Sequence, residues 1–342
     1  MTTGYVYDSL YLEHDSSTHP ENRRRLEQTL DHLQKAGLLA RMQPVAARDT
    51  SLDELSTVHH RGYIERVQRV AQSGGGWLDP DTYVGPRSYD AAIRAAGGLL
   101  AAVEGVLNGK VDNAFALVRP PGHHALANRG MGFCLFNNIA VAARYVLQQR
   151  GLQRVLIADY DLHHGNGTQE AFYQEAEVLY FSTHQFPYYP GTGHWKETGR
   201  GAGEGYTVNV PLPAGVGDDG YQRVFDQVLL PMAARYKPQL ILASAGFDAH
   251  WMDPLGMMRL SVSGYAQLAR RLVEMAAECC EGRIVLTLEG GYNLEALALC
   301  VAATFSMLLG DEEVHDPLGP ARGSEEPVDA VIQAVRKLHQ LA

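Results

Sequence analysis

Asp159, Asp161 and His163 stand at alternate positions where the apolar run Val155–Ala158 gives out. Successive side chains of a strand point to opposite faces, so in a continuing strand these three share one side. Gly165 and Gly167 then release the backbone into a turn. Two carboxylates and an imidazole converging this closely make a donor set for a divalent cation, zinc above all. An ordinary strand-end turn rich in Asp, Gly and Asn has the same composition, so this stretch alone leaves both readings open.

The elements that must position such a site follow from the hydrophobic pattern. Tyr5 and Tyr7 start an edge strand, and His19-Pro20-Glu21 opens a helix with Leu26, Leu30 and Leu33 on one face and Gly37 as its stop. Residues 52–71 read as two short helical pieces around His59 and His60, a pair to which only packing or surface roles can be given. Residues 73–86 form a long Gly/Pro/Asp loop. An Ala-rich helix then runs from Ser88 to about Gly109. Strands at 114–118, 155–158, 178–182, 207–210, 240–244 and 284–288 alternate with helices at 138–150, 167–176, 218–236 (bent near Pro231), 263–278 (capped by Ser263) and 293–308. Short continuous apolar strands alternating with helices predict a parallel sheet covered on both faces. The alternation is unbroken, so residues 1–342 read as one domain. A polar connector at 311–327 leads to a closing helix at 328–341, whose stripe is Val328, Val331, Ile332, Val335 and Leu338.

In open parallel sheets ligands bind beyond the carboxyl ends of the strands. The unusual residues gather there five times. Arg119 to His124 follow Val118, Asp159 to His164 follow Ala158, and Ser182 to His184 follow Phe181. Ala245 to His250 follow Ser244, and Glu289 to Asn293 follow Leu288. Core polar residues scattered for packing would not choose one end of five strands, so this is an active site.

Composition bounds the rest. The chain is 46% hydrophobic and 20% charged, with a net charge of −10 and no long basic run, which argues against a nucleic-acid partner and mildly favours cationic substrates. Cys134, Cys279, Cys280 and Cys300 show neither finger spacing nor a disulfide framework. No signal peptide and no apolar stretch of about 20 residues is evident, so a cytoplasmic setting is expected.

The segments RPPGHHA (from 119), GFCLFNN (132–138), DYDLHHGNGTQ (from 159), GTG (191–193), AGFDAH (245–250), DPLG (253–256) and LEGGYN (288–293) together resemble the zinc-dependent histone deacetylase family. The similarity covers about residues 5–310, with the motifs in the family's order. Asn166 and DPLG are closer to the class II enzymes and the bacterial histone deacetylase-like amidohydrolases. The resemblance implies the arginase–deacetylase fold, a three-layer α/β/α sandwich on a mainly parallel eight-stranded sheet. It also implies Asp161, His163 and Asp248 as zinc ligands, with positions left open for water and a carbonyl oxygen.

The same resemblance pairs His123 with Asp159 and His124 with Asn166. A carboxylate favours a charged imidazole and an amide does so much less, so His123 is expected protonated and His124 nearer neutral, the general base and acid. Tyr292 matches the tyrosine that donates a hydrogen bond to the polarised carbonyl. Phe133 and Tyr189 match the walls of an acyl-lysine tunnel, with the Gly132 carbonyl beside it. Two monovalent cation sites, for potassium or sodium, are implied. The inner one uses Asp159, Asp161, His163 and Ser182, and the outer one Phe172, Glu175, Val178 and Tyr206. The 74–86 loop, with Asp79 and Asp81, is expected at the tunnel rim against the substrate backbone.

The expected reaction is hydrolysis of an acyl, foremost acetyl, amide on a lysine side chain of a peptide or protein. Acetylpolyamine amidohydrolases share these residues, but their selective members carry a glutamate where this chain has Leu255. A non-catalytic acyl-lysine module would have lost a ligand, a histidine or the tyrosine, and none is lost. An arginase-like dinuclear site would want more carboxylates than Asp159 adds.

Overall fold

The computed structural model describes residues 1–341. Its strands are β1 (Thr3–Val6), β2 (Gln43–Pro44), β3 (Gly76–Trp77), β4 (Tyr83–Val84), β5 (Asn113–Ala116), β6 (Val155–Asp159), β7 (Val178–Gln185), β8 (Thr207–Leu212), β9 (Leu240–Ala245) and β10 (Ile284–Leu288). Its helices are α1 (Arg24–Lys35), α2 (Leu52–Ser56), α3 (Arg61–Gln72), α4 (Ser88–Leu107), α5 (Asn138–Gln149), α6 (Asn166–Phe172), α7 (Asp218–Val224), α8 (Leu230–Tyr236), α9 (Val262–Cys280), α10 (Leu294–Leu309) and α11 (Asp329–Leu338).

Eight strands form one sheet in the order β2-β1-β5-β10-β9-β6-β7-β8, every pair parallel. Its central strands are buried at every residue, the pattern of a sheet covered on both faces. Helix α10 packs with α1 and α9, and α4 packs with α5 and α3. The buried apolar cluster is continuous from Val6 to Val335.

Several local expectations are corrected. The first strand is not an edge, because β2 pairs outside it; Pro44 lacks an N–H and suits the edge position that β2 takes. Strand β7 runs on to Gln185, so His184 belongs to a strand. The 73–86 loop contains the β3–β4 hairpin. The cap of α9 is Ser261, whose hydroxyl accepts from Gly264 N at 3.0 Å, rather than Ser263. Before Pro231 the helix takes a π turn at Phe225–Leu229, and the proline falls in the first turn of α8, where a missing N–H is tolerated. In the closing helix Ile332 and Val335 are buried, while Leu338 is exposed. All four cysteines are unpaired, and no described helix is long and apolar enough to cross a membrane.

His59, which had no partner in sequence, has two. It is buried, its Nδ1 lies 2.9 Å from Leu126 O, and its Nε2 accepts from Asn137 N at 2.8 Å. That geometry requires the neutral tautomer, with Nδ1 as donor and Nε2 as acceptor. Burial, with the neighbouring His60 adding to it, depresses its pKa to about 4. An unfolded histidine takes its proton near pH 6.5, so between about pH 6.5 and 4 the unfolded chain binds a proton that the folded one refuses. Stability is therefore fully present above pH 6.5 and falls on acidification. Denaturant titrations at pH 7.5 and 4.5 are expected to show His59→Gln losing about 2–3 kcal/mol less than wild type over that window. Equal losses would exclude His59 as the acid-labile group.

Candidate active site

The carboxyl ends of the central strands bring the predicted residues together around one cavity of about 260 Å³. Its lining includes His123, His124, Gly132, Phe133, His163, Tyr189, Leu255 and Tyr292, all singled out from the sequence. Asp159, Asp161, Asn166 and Asp248 stand behind this wall.

At the floor, donor atoms of Asp161, His163 and Asp248 lie within 4.8 Å of one another. His163 Nδ1 is 3.1 Å from Asp248 Oδ2 and 3.3 Å from Asp161 Oδ1. Both carboxylates are buried. Burial and the Asp161 charge push the Asp248 carboxyl up, while His123 and His163 hold Asp161 down against its own burial. Burial works against a charged His163, but its bonds to Asp161 and Asp248 outweigh it and raise its pKa to about 9. Oxygen, oxygen and nitrogen donors at this spacing fit a zinc ion.

The motif's neighbours fix these ligands. Asp248 Oδ1 accepts from Leu162 N at 2.9 Å, and Asp161 Oδ2 accepts from Gly290 N at 2.8 Å. A side chain at Gly290 would place Cβ 2.3 Å from Asp248 Oδ2 and 2.6 Å from Asp161 Oδ2, so only glycine lets this turn approach.

The two histidines beside the floor differ in charge. His123 Nδ1 meets Asp159 Oδ2 at 3.1 Å, and Tyr180 Oη donates to the same oxygen at 3.2 Å. Burial opposes the His123 charge, but Asp159 and Asp161 outweigh it and push the pKa up to about 10. His124 Nδ1 meets Asn166 Oδ1 at 2.8 Å. The amide is oriented by its other end, where Nδ2 faces the acceptor Met131 Sδ at 3.5 Å. His124 thus donates from Nδ1 and keeps a lone pair on Nε2. Burial, then the charges of His123 and His163, hold its pKa well below the ordinary value.

Above the floor, Phe133 and Tyr292 meet edge to face at 5.6 Å, and Tyr189 stands edge-on to His124 at 5.2 Å. Phe133 has φ 69°, a costly conformation for an aromatic residue. Thr82 Oγ1 accepts from its N–H at 3.1 Å and His19 packs edge-on at 4.5 Å, holding it there. A Cβ on Gly132 would fall 2.4 Å from His124 Cδ2. Burial raises the Tyr292 pKa well above 10, so its phenol stays protonated and able to donate. Asp81 reaches the cavity lining, whereas Asp79 turns inward and accepts from Asp81 N and Thr82 N at 3.1 and 2.7 Å.

Of the residues implied for cations, Asp159 and Ser182 are register neighbours on β6 and β7. Ser182 Oγ pairs with His184 Nδ1 at 2.9 Å. Around Phe172 and Glu175 stands Arg144, its guanidinium 4.7 Å from the Phe172 ring and ion-paired to Glu175. Phe172 O accepts from Glu175 N, and Tyr206 O from Tyr180 N.

Some participants were invisible in sequence. Tyr188 stacks on His163 at 5.7 Å and donates to Leu255 O at 3.0 Å. Arg25 reaches from α1 to donate to Gly291 O at 2.7 Å and Glu289 O at 2.5 Å, and lies 5.0 Å from the Tyr292 ring. Glu21 pairs with Arg25 and Arg119, all three buried. Only the adjacency of Glu21 to the His19-Pro20 helix opening marked that region.

The histone deacetylase domain model matches residues 19–308. The chain belongs to the histone deacetylase family. Among curated relatives of this deacetylase-family hydrolase, a probable deacetylase of Archaeoglobus fulgidus is 46% identical, covering 86% of this chain and 82% of the relative. The histone deacetylase-like amidohydrolase of Pseudomonas aeruginosa is 40% identical over 92% of this chain and 82% of its own. A histone deacetylase of Oryza sativa named chloroplastic is 42% identical over 96% of this chain and 79% of its own. The crystal structure of the HDA15 HD domain superposes with a TM-score of 0.90 at 38% identity, over 99% of this chain and 94% of that one. Histone deacetylase-family membership and the all-parallel eight-stranded sheet thus agree with the resemblance read from the motifs.

Proposed function

We propose that the chain is a zinc-dependent hydrolase that removes acyl groups, foremost acetyl, from lysine side chains. The observation that carries this reading is a donor set of two buried carboxylates and one imidazole at the floor of a cavity, beside His124, whose Nδ1 meets the Asn166 amide oxygen, and Tyr292. Asp161, His163 and Asp248 would hold the metal. When bound, it supplies Lewis-acid polarisation of the acyl carbonyl and of the attacking water.

The chain's own groups do the rest. His124 Nε2 takes the proton from water and returns it to the leaving amine nitrogen. Asn166 keeps that imidazole in the required tautomer. His123, charged and held by Asp159, adds a positive field beside the reacting carbonyl. Tyr292 donates its O–H to the carbonyl oxygen as that atom gains charge. Phe133, Tyr189 and Leu255 wall a passage suited to a slender aliphatic stem and exclude water from it. The monovalent sites implied at Asp159 and Ser182, and around Phe172, belong to the same proposal.

One observation favours acetylpolyamines as a second reading. Leu255 supplies no charge, but Asp81 places a carboxylate on the cavity wall, where a second amine of a small substrate could meet it. Paired kinetics on an acetyl-lysine peptide and N8-acetylspermidine separate the two. A kcat/KM at least about tenfold higher for the peptide, a difference of 1.4 kcal/mol, is expected, and a zinc chelator is expected to abolish it. A reversed ratio assigns Asp81 to the polyamine. Turnover that survives chelation overturns the metal.

A further inference from the structure

The structure assigns Asp253 as the positioning residue of Tyr292, an assignment that rests on the hydrolytic reading above. Asp253 is buried. Its Oδ2 accepts from Tyr292 N at 2.6 Å and Asn293 N at 3.0 Å, and its Oδ1 accepts from Leu255 N at 3.0 Å. One carboxylate therefore joins the turn bearing the phenol to the segment forming the cavity wall. Asn293 adds a second stitch, donating from Nδ2 to Met252 O at 3.1 Å while its Oδ1 caps α10.

The other supports of this turn act one to three residues earlier. Arg25 holds the carbonyls of Glu289 and Gly291, and Asp161 holds Gly290 N. Gly291 has φ +117°, and the planar peptide unit after this pivot carries both Gly291 O, held by Arg25, and the N–H of Tyr292. Asp253 grips the opposite edge of that unit, the tyrosine's own N–H, and the next N–H at Asn293. Through Leu255 O it also meets Tyr188, which stacks on His163. The phenol and the metal-ligating face are thus registered against each other through one side chain. Donation to a developing oxyanion depends on position to a fraction of an ångström, and a misplacement of about 1 Å costs on the order of 100-fold.

The test is a double-mutant cycle with Asp253→Asn and Tyr292→Phe on an acetyl-lysine peptide. The isosteric amide has one acceptor oxygen, so whichever way it turns its NH₂ faces a backbone N–H donor. Asp253→Asn is expected to lower kcat about 30-fold with KM changed less than about threefold. In the Tyr292→Phe background the same substitution is expected to cost less than about threefold, because the group it positions is gone. Bound zinc is expected to stay at the wild-type level. Equal losses in both backgrounds, a change confined to KM, or no loss would overturn the assignment. If Asp253→Asn does not fold, Asp253→Glu, which keeps the carboxylate but lengthens its reach, enters the same cycle with the same criterion. Wild-type kcat in Tyr292→Phe alone would instead mark failure of the hydrolytic role of Tyr292, and would take this inference with it.

Discussion

Alanine at position 124 is expected to lower kcat for an acetyl-lysine peptide by about 10³-fold while KM moves less than about threefold, the signature of a group that acts in the transition state. The two histidines are adjacent in sequence and their rings lie 4.0 Å apart, yet their partners give them opposite states. His123 faces Asp159 and is charged, so it has no lone pair to take a proton. His124 faces an amide, and its Nε2 is free to accept. His123→Ala is expected to be the milder change, about 10²-fold, because it removes a field rather than the proton acceptor. Steady-state kinetics on both variants decide the matter. A severe loss in His123→Ala with activity largely kept in His124→Ala would exchange the two roles.

Asp248→Asn is expected to separate metal binding from folding. The amide oxygen can still accept from Leu162 N, so the backbone contact survives while one of two crowded charges is removed. Without metal, this variant is expected to melt no lower than wild type. Zinc at about 1,000 times its Kd is expected to stabilise wild type by about 4 kcal/mol and the variant far less, since only the folded donor set binds it. Activity should fall with bound zinc, by at least about 10³-fold. Melting curves of metal-free protein, with and without added zinc, supply the check. A metal-free variant that melts well below wild type yet gains as much from zinc would show Asp248 to be a structural carboxylate.

What could be read in the sequence was whatever local order writes down. The alternation of Asp159, Asp161 and His163, the paired histidines and the Gly-Gly turn before Tyr292 are contiguous, and strand ends place them by rule. Partnerships between distant segments were not legible. Arg25 and Gly291 are 266 positions apart, Asp253 and Tyr292 are 39, and no periodicity connects them. His59 shows the same limit, since its acceptor and donor lie on another loop and helix. β2 escaped notice because two residues paired at an edge carry no hydrophobic pattern. Ser261 and Ser263 are both plausible caps by type, and only the backbone angles of the turn choose between them.

The position of β10 governs how the molecule is assembled during synthesis. It is the last strand to be made, yet it lies in the middle of the sheet, between β5 and β9. Until it arrives, the nascent chain holds two half-sheets, β2-β1-β5 and β9-β6-β7-β8, each with a bare interior edge open to mispairing. Asp161, His163 and Asp248 all follow strands of the second half, but the Gly290 N–H that holds Asp161 Oδ2 arrives only with closure. His123 and His124 follow β5, in the first half, and Tyr292 follows β10 itself. The closing strand therefore completes the sheet and brings Gly290 and Tyr292 to the residues proposed for metal binding and proton transfer in one event.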